Sequence, residues 1–260
     1  MNPACKRIRA NVLRASSASG HGHVPTGFSV IECIYAAYSV MRHDPKRPGW
    51  PERDLFVLSK GHAALGFYGV LAEMGYFPET DLPRFGAYES PLGCHPDRLK
   101  VPGVEASTGS LGHGISLAVG MALGIRIAKQ NRRVFTLIGD GESNEGSVWE
   151  AIMVAVHLRL SNLTVIYDHN KSQGRCLPIA NPGDRFRAFG CDVVEVAGHD
   201  IEALKRAMAE SSDLPRLIVA DTQKGYGCET LVKNMYEWHR RSPNKEELPK
   251  LLEELDAAAV

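Results

Sequence analysis

From residue 115 onward, short apolar runs alternate with longer stretches of helical periodicity. The spacing predicts helix 115–129, strand 133–138, helix 147–160, strand 163–167, strand 192–196, helix 201–210 and strand 216–220. Strands joined through helix-length connections pair in parallel rather than as hairpins. The crossovers are then right-handed, and both faces of the sheet need cover. The expected fold class is α/β, a mostly parallel sheet with helices on both faces, in one domain over 1–260. Upstream, 6–17 reads as an amphipathic helix, and 16–27 (SSASGHGHVPTG) as a loop crowded with Ser, Gly, His and Pro. Helix 28–41, strand 55–58 and a helix reaching about residue 74 follow. The stretch 90–114 reads as long irregular connection, a kind that tends to be functional inside a domain. The tail, 245–260, reads as one helix that docks on the surface or reaches a partner.

Charge and cysteine content narrow the function. The 30 Lys+Arg balance 30 Asp+Glu, so no global field gathers nucleic acid or anionic lipid, and any bound anion is held locally. The six cysteines lie far apart with no C-x-x-C, which argues against a disulfide scaffold and points to a reducing, cytoplasmic setting. The N-terminus lacks an apolar signal core. The longest uncharged run, 106–125, is broken by five glycines and His113, so no membrane span is expected.

The chemistry concentrates in Ile138-Gly139-Asp140-Gly141-Glu142, directly after the apolar run VFTLI. In a parallel sheet, the carboxyl ends of strands are where ligands bind. There, glycines let backbone approach a phosphate and Asp140 offers a hard oxygen to Mg²⁺ or Ca²⁺. Asn170, at the end of the following strand, offers another. Gly-Asp-Gly is also an ordinary turn, and Asn after a strand an ordinary cap. An ion held by one Asp and one Asn is under-ligated, however, and calls for a ligand that brings oxygens, such as a diphosphate.

This spacing resembles the GDG…N signature of thiamine-diphosphate enzymes. Further stretches, in order, resemble the N-terminal half of transketolase: Ser19-Gly20-His21, the run from Arg53 to His62 (RDLFVLSKGH), His95-Pro96, the run from Thr108 to Ser116 (TGSLGHGIS), GDGESNEG from Gly139 to Gly146, and Trp238-His239. The resemblance implies the diphosphate-binding domain of the thiamine-diphosphate fold. It also implies a transketolase-type transferase that moves a two-carbon ketol unit from a ketose to an aldose. The chain stops where a pyrimidine-binding half would start. The expected partner is therefore a separate C-terminal subunit, in an α2β2 heterotetramer acting on sugars or sugar phosphates.

Carried over by position, Asp140, Asn170 and the Ser172 carbonyl match metal ligands. Gly109, Ser110, Leu111, Gly139, Gly141 and Glu142 match the cofactor contacts, with His62 and His239 on the diphosphate. His21, His62, His95 and His239 match the catalytic channel, and Glu145 an interface glutamate. Imidazole suits removal of a proton from a ketose C3 hydroxyl near neutral pH. His43, His157 and His199 read as surface or capping histidines, while His23 and His113 stay open. The sequence departs from the family pattern at Gly22-His23, Cys94 and His113, all near the presumed channel. Two other readings remain: the α subunit of a 2-oxoacid dehydrogenase, and a non-catalytic transketolase-like structural subunit.

Overall fold

Apolar strand residues here face alternately two different cores, and that alternation explains the architecture. The structure, a computed structural model, describes residues 1–258. It opens with α1 (Pro3–Ser19) and α2 (Val24–Val40), then β1 (Leu55–Leu58), α3 (Ala64–Glu73), α4 (His113–Ile127), β2 (Val134–Gly139), α5 (Gly146–His157) and β3 (Leu163–His169). It continues with α6 (Pro182–Ala188), β4 (Asp192–Ala197), α7 (Ile201–Ala209), β5 (Arg216–Asp221), α8 (Glu229–Lys233) and α9 (Glu247–Ala257). The strands form one all-parallel sheet in the order β1-β2-β3-β5-β4.

Phe56, Leu58, Phe135, Leu137, Ile166 and Ile218 pack into one core with α1, α2, α3 and α7. Leu55, Val57, Val134, Ile138, Val165 and Leu217 pack into the other with α4, α5 and α6. Successive residues of a strand point to opposite faces, so a parallel sheet buried on both sides is apolar throughout. The crossovers from β1 to β4 enter their strands from α4, α5 and α6 on one face, while α3, between β1 and α4, packs on the other. The last step, from β4 back to β5, reverses direction and runs through α7 on the other face, as right-handed crossovers require.

The five expected strands all form, with ends shifted by no more than two residues. The N-terminal region differs. Helix α1 starts earlier, because the Asn2 side chain accepts from the Ala4 and Cys5 amides and Pro3 occupies its first turn. It also runs through Ser16, whose hydroxyl donates to the His21 carbonyl at 2.7 Å. Gly20, at φ 69°, closes the helix, and α2 begins at Val24 with Pro25 in its first turn. The expected loop 16–27 thus shrinks to residues 20–23, because proline here starts a helix instead of ending one. Helices α6 and α8 were not expected. The tail helix covers Glu247–Ala257, and Ala259 and Val260 lie outside the described residues.

Candidate active site

Strands β2 and β3 are neighbours with Gly139 opposite Asp168, so the loops after them leave the sheet side by side. Asp140 is 6% exposed; its Oδ1 accepts from the Gly141 amide at 2.8 Å and the Ser172 hydroxyl at 2.7 Å, and its Oδ2 from the Gln173 amide at 3.1 Å. Asn170 turns its Oδ1 to the Ser172 amide at 3.0 Å. The carboxylate and the carboxamide oxygen thus meet at one turn, on one side of the sheet. The carboxamide orientation follows from Asp168, fully buried beneath it. Asp168 Oδ2 accepts from Asn170 Nδ2 at 2.8 Å, Ser29 Oγ at 2.9 Å and Lys60 Nζ at 2.5 Å, while Oδ1 accepts from the Thr222 hydroxyl. With its amide nitrogen held there, Asn170 presents oxygen to the site.

A cavity of about 440 Å³ lies over this turn. Its wall carries three imidazoles in mutual contact: His23 stands 5.3 Å from His62 and 5.3 Å from His239, and His62 stands 6.3 Å from His239. Lys60 and Arg240 also line it, and buried Lys224 contacts His239 Nδ1 at 2.8 Å. Burial, reinforced by the neighbouring cations and imidazoles, lowers the pKa of His23 and His239 to about 4 and of His62 to about 2. Burial and Lys60 lower Lys224 to about 8. At neutral pH the imidazoles are therefore uncharged, and the charged side chains of the lining are Lys60 and Arg240 alongside Asp140 and Glu142, with Lys60 paired to Asp168.

The long connection before α4 forms the opposite wall. Gly109, at φ 148°, lies so close to the His95 ring that a Cβ would sit 2.9 Å from it, so only glycine lets backbone and imidazole share this edge. Glu142 ties the walls together. Its Oε1 accepts from Ser59 Oγ at 2.5 Å and the Gly112 amide at 3.0 Å, and its Oε2 from the Gly139 amide at 3.1 Å. Burial raises its pKa.

Of the expected residues, His62, His95, Gly109, Leu111, Gly139, Asp140, Gly141, Glu142, Asn170, Ser172 and His239 line this cavity. His21, Ser110 and Glu145 are exposed and do not. In place of His21, the structure puts His23 in the wall. It directly precedes the first turn of α2, whereas His21 sits in the preceding loop. Glu142 lines the cavity, but both its oxygens are engaged by protein donors. His113 lies outside, on a neighbouring surface recess. His43 packs between Tyr38 and Tyr76 with its Nε2 3.0 Å from the Tyr38 carbonyl in the last turn of α2, a capping contact, whereas His199 pairs with buried Glu32 at 2.9 Å and is neither a surface nor a capping histidine. Sequence reading missed Thr26, Lys60, Gln173, Arg240 and Lys224. A cue existed for Lys60, which adjoins His62 in the run already singled out.

The fit to a diphosphate and its cation can be tested on these residues. The Thr26 hydroxyl lines the cavity, is buried and has no hydrogen-bond partner, and a phosphate oxygen would supply one. Among the described residues, no cluster of three or more His, Cys, Asp or Glu could hold a metal by itself. Asp140 and Asn170 are thus a partial set that a diphosphate would complete.

Glycine backbone, a histidine wall and paired hard oxygens at the carboxyl edge of a parallel sheet define a diphosphate-binding α/β domain. Residues 2–255 match the family model described as "Transketolase, thiamine diphosphate binding domain", and the chain belongs to that family. It is 39% identical over 257 residues to an apulose-4-phosphate transketolase subunit from Actinobacillus succinogenes, covering 96% of this chain and 92% of that one. It is also 39% identical over 230 residues to a 6-deoxy-6-sulfo-D-fructose transketolase subunit from Clostridium sp. (strain MSTE9), covering 85% and 84%. Among solved structures, the transketolase of Campylobacter jejuni superposes with TM-score 0.83 at 31% identity, over 98% of this chain and 43% of that one. A Pichia stipitis transketolase variant in complex with fructose 6-phosphate gives TM-score 0.89 at 30% identity, over 95% and 39%. The chain thus spans about two fifths of the length of these solved transketolases.

Proposed function

We propose that this chain is the diphosphate-binding subunit of a two-chain, thiamine-diphosphate-dependent transketolase. It would transfer a two-carbon ketol unit from a ketose to an aldose together with a C-terminal-half subunit. The observation that carries the reading is the convergence of Asp140 and Asn170 beneath a histidine-walled cavity. Two relatives named as transketolase subunits, covered over 92% and 84% of their length, support the two-chain form. They also favour it over a 2-oxoacid dehydrogenase subunit, and the matched His62, His95 and His239 in the cavity wall favour it over a non-catalytic scaffold. We read 1–260 as one domain in a cytoplasmic α2β2 assembly. Among the described residues all six cysteines are free, and no helix is long and apolar enough to cross a membrane.

Thiamine diphosphate, when bound, supplies a nucleophilic carbon and an electron sink for the cleaved carbon–carbon bond. Asp140, Asn170 and the Ser172 carbonyl would ligate Mg²⁺ or Ca²⁺ on its diphosphate. Gly109, Leu111, Gly139 and Gly141 would carry backbone contacts, with Thr26, His62 and His239 donating to phosphate oxygens. Glu142 positions those loops. A neutral imidazole can take the C3 hydroxyl proton of a ketose and return it to the aldehyde oxygen. His23, His62, His95 and His239 are the candidates, with His23 replacing His21 in the channel. Glu145, exposed in this chain, would face the partner.

Co-purified with its partner subunit, the chain should turn over a ketose donor with added thiamine diphosphate and Mg²⁺. Activity with 2-oxoacid donors alone would favour the dehydrogenase reading. No cofactor binding at all would favour the scaffold.

A further inference from the structure

At the opposite end of the sheet, a second cavity of about 380 Å³ opens where β2, β3 and β5 begin. Arg126 reaches it from the last turn of α4, Arg132 and Arg133 from the connection into β2, and Arg216 from the first position of β5. Few carboxylates answer them. Glu210, in the cavity wall, pairs with Arg216 Nη1 at 3.0 Å, and Asp192 with Arg216 Nη2 at 2.9 Å. Asp54 is shared between Arg133 at 3.3 Å and Arg42 at 3.1 Å. Among the described residues, Arg126 and Arg132 make no ion pair; they donate to the carbonyls of Leu158 and Arg53. Arg42, Arg126, Arg132, Arg133 and Arg216 set against Asp54, Asp192 and Glu210 leave two guanidinium charges unmatched.

Arg216 is held at the base of the cavity: besides the two carboxylates, its Nη1 donates to the Ala207 carbonyl at 3.4 Å and its Nη2 to the Ser211 carbonyl at 3.5 Å. It is 6% exposed and lines the cavity, yet its Nε has no hydrogen-bond partner. Buried donors are almost always paired, and leaving one unmade costs about 1–3 kcal/mol. A guanidinium fork is matched to phosphate oxygens, and a phosphate monoester carries about two negative charges at neutral pH, equal to the excess here.

We propose that this basal cavity binds a small phosphate monoester, held by Arg126 and Arg132 above the paired Arg216. Seven-residue β3, rising about 3.3 Å per residue, spans most of the distance between the two sites. The basal cavity is therefore separate from the Asp140 turn, and the inference does not rest on the cofactor reading.

The test is amide NMR of the full chain titrated with inorganic phosphate and with glycerol 3-phosphate, against glycerol and sodium chloride at matched ionic strength. Both phosphates should move the amides of Ser161, Asn162, Ser211 and Ser212 saturably, and the controls should not. The Arg126→Gln/Arg132→Gln double variant should weaken that response at least tenfold while any response at Gly141 and Gln173 persists. Should the double variant lose its dispersed spectrum, the exposed single change Arg126→Gln should still weaken it about threefold. Shifts confined to the Asp140 turn, or midpoints unchanged by these substitutions, would overturn the proposal.

Discussion

The single residue that most governs the candidate active site is one that sequence reading passed over. Asp168 receives Lys60, Ser29, Thr222 and Asn170, and thereby fixes which end of the Asn170 carboxamide faces the cavity. Outer partners of this kind typically contribute about 10–100-fold in affinity, so Asp168→Asn should weaken Mg²⁺-dependent cofactor binding by that factor, read by calorimetry. Lys60→Met would leave the buried Asp168 charge without its cation, and should cost about 3–5 kcal/mol of stability in urea unfolding. Asp140 and Asn170 were legible because their meaning is local: each ends a strand, in a recognisable motif. Asp168 was not, since three of its four partners lie 54, 108 and 139 residues away. The histidines carry a pH signature. His23 and His239, held near 4 chiefly by burial, bind fewer protons folded than unfolded below the free imidazole value of about 6.5. Their contribution to stability is full above that value and is lost as pH falls towards 4. His23→Asn should flatten the decline of the urea midpoint between pH 6.5 and 4.5, and an unchanged slope would contradict the assignment.

At the scale of elements, Glu142 joins three segments: the turn after β1, the entry to α4 and the end of β2. Glu142→Ala would orphan three buried donors, and at about 1–3 kcal/mol for each unmade bond should destabilise the chain by at least about 3 kcal/mol. A loss below about 1 kcal/mol would show that the walls do not depend on it. Strand positions were readable from the sequence because each strand is a short apolar run flanked by polar residues. The start of α2 was not, since Pro25 reads as a breaker and acts as a first-turn residue. His21 was singled out separately, through the match of Ser19-Gly20-His21 to the family. The imidazole in the wall belongs to His23, beside the helix start that the loop reading had hidden.

For the whole molecule, parallel order, two-faced packing and a ligand cavity at the carboxyl edge follow from the alternation of strands and helices, which is why the fold class was plain. The cationic basal cavity was not visible, because its arginines come together only when β2 and β5 enter the sheet from distant sequence positions. The central claim is that Asp140 and Asn170 bind one divalent cation whose shell a diphosphate completes. It is tested most directly by calorimetric titration of thiamine diphosphate into the chain assembled with its partner, with Mg²⁺ present or chelated, for the native sequence and Asp140→Ala. The account predicts one cofactor bound per chain, with binding lost on chelation and lost in the variant. Equal affinity in all three conditions would contradict it.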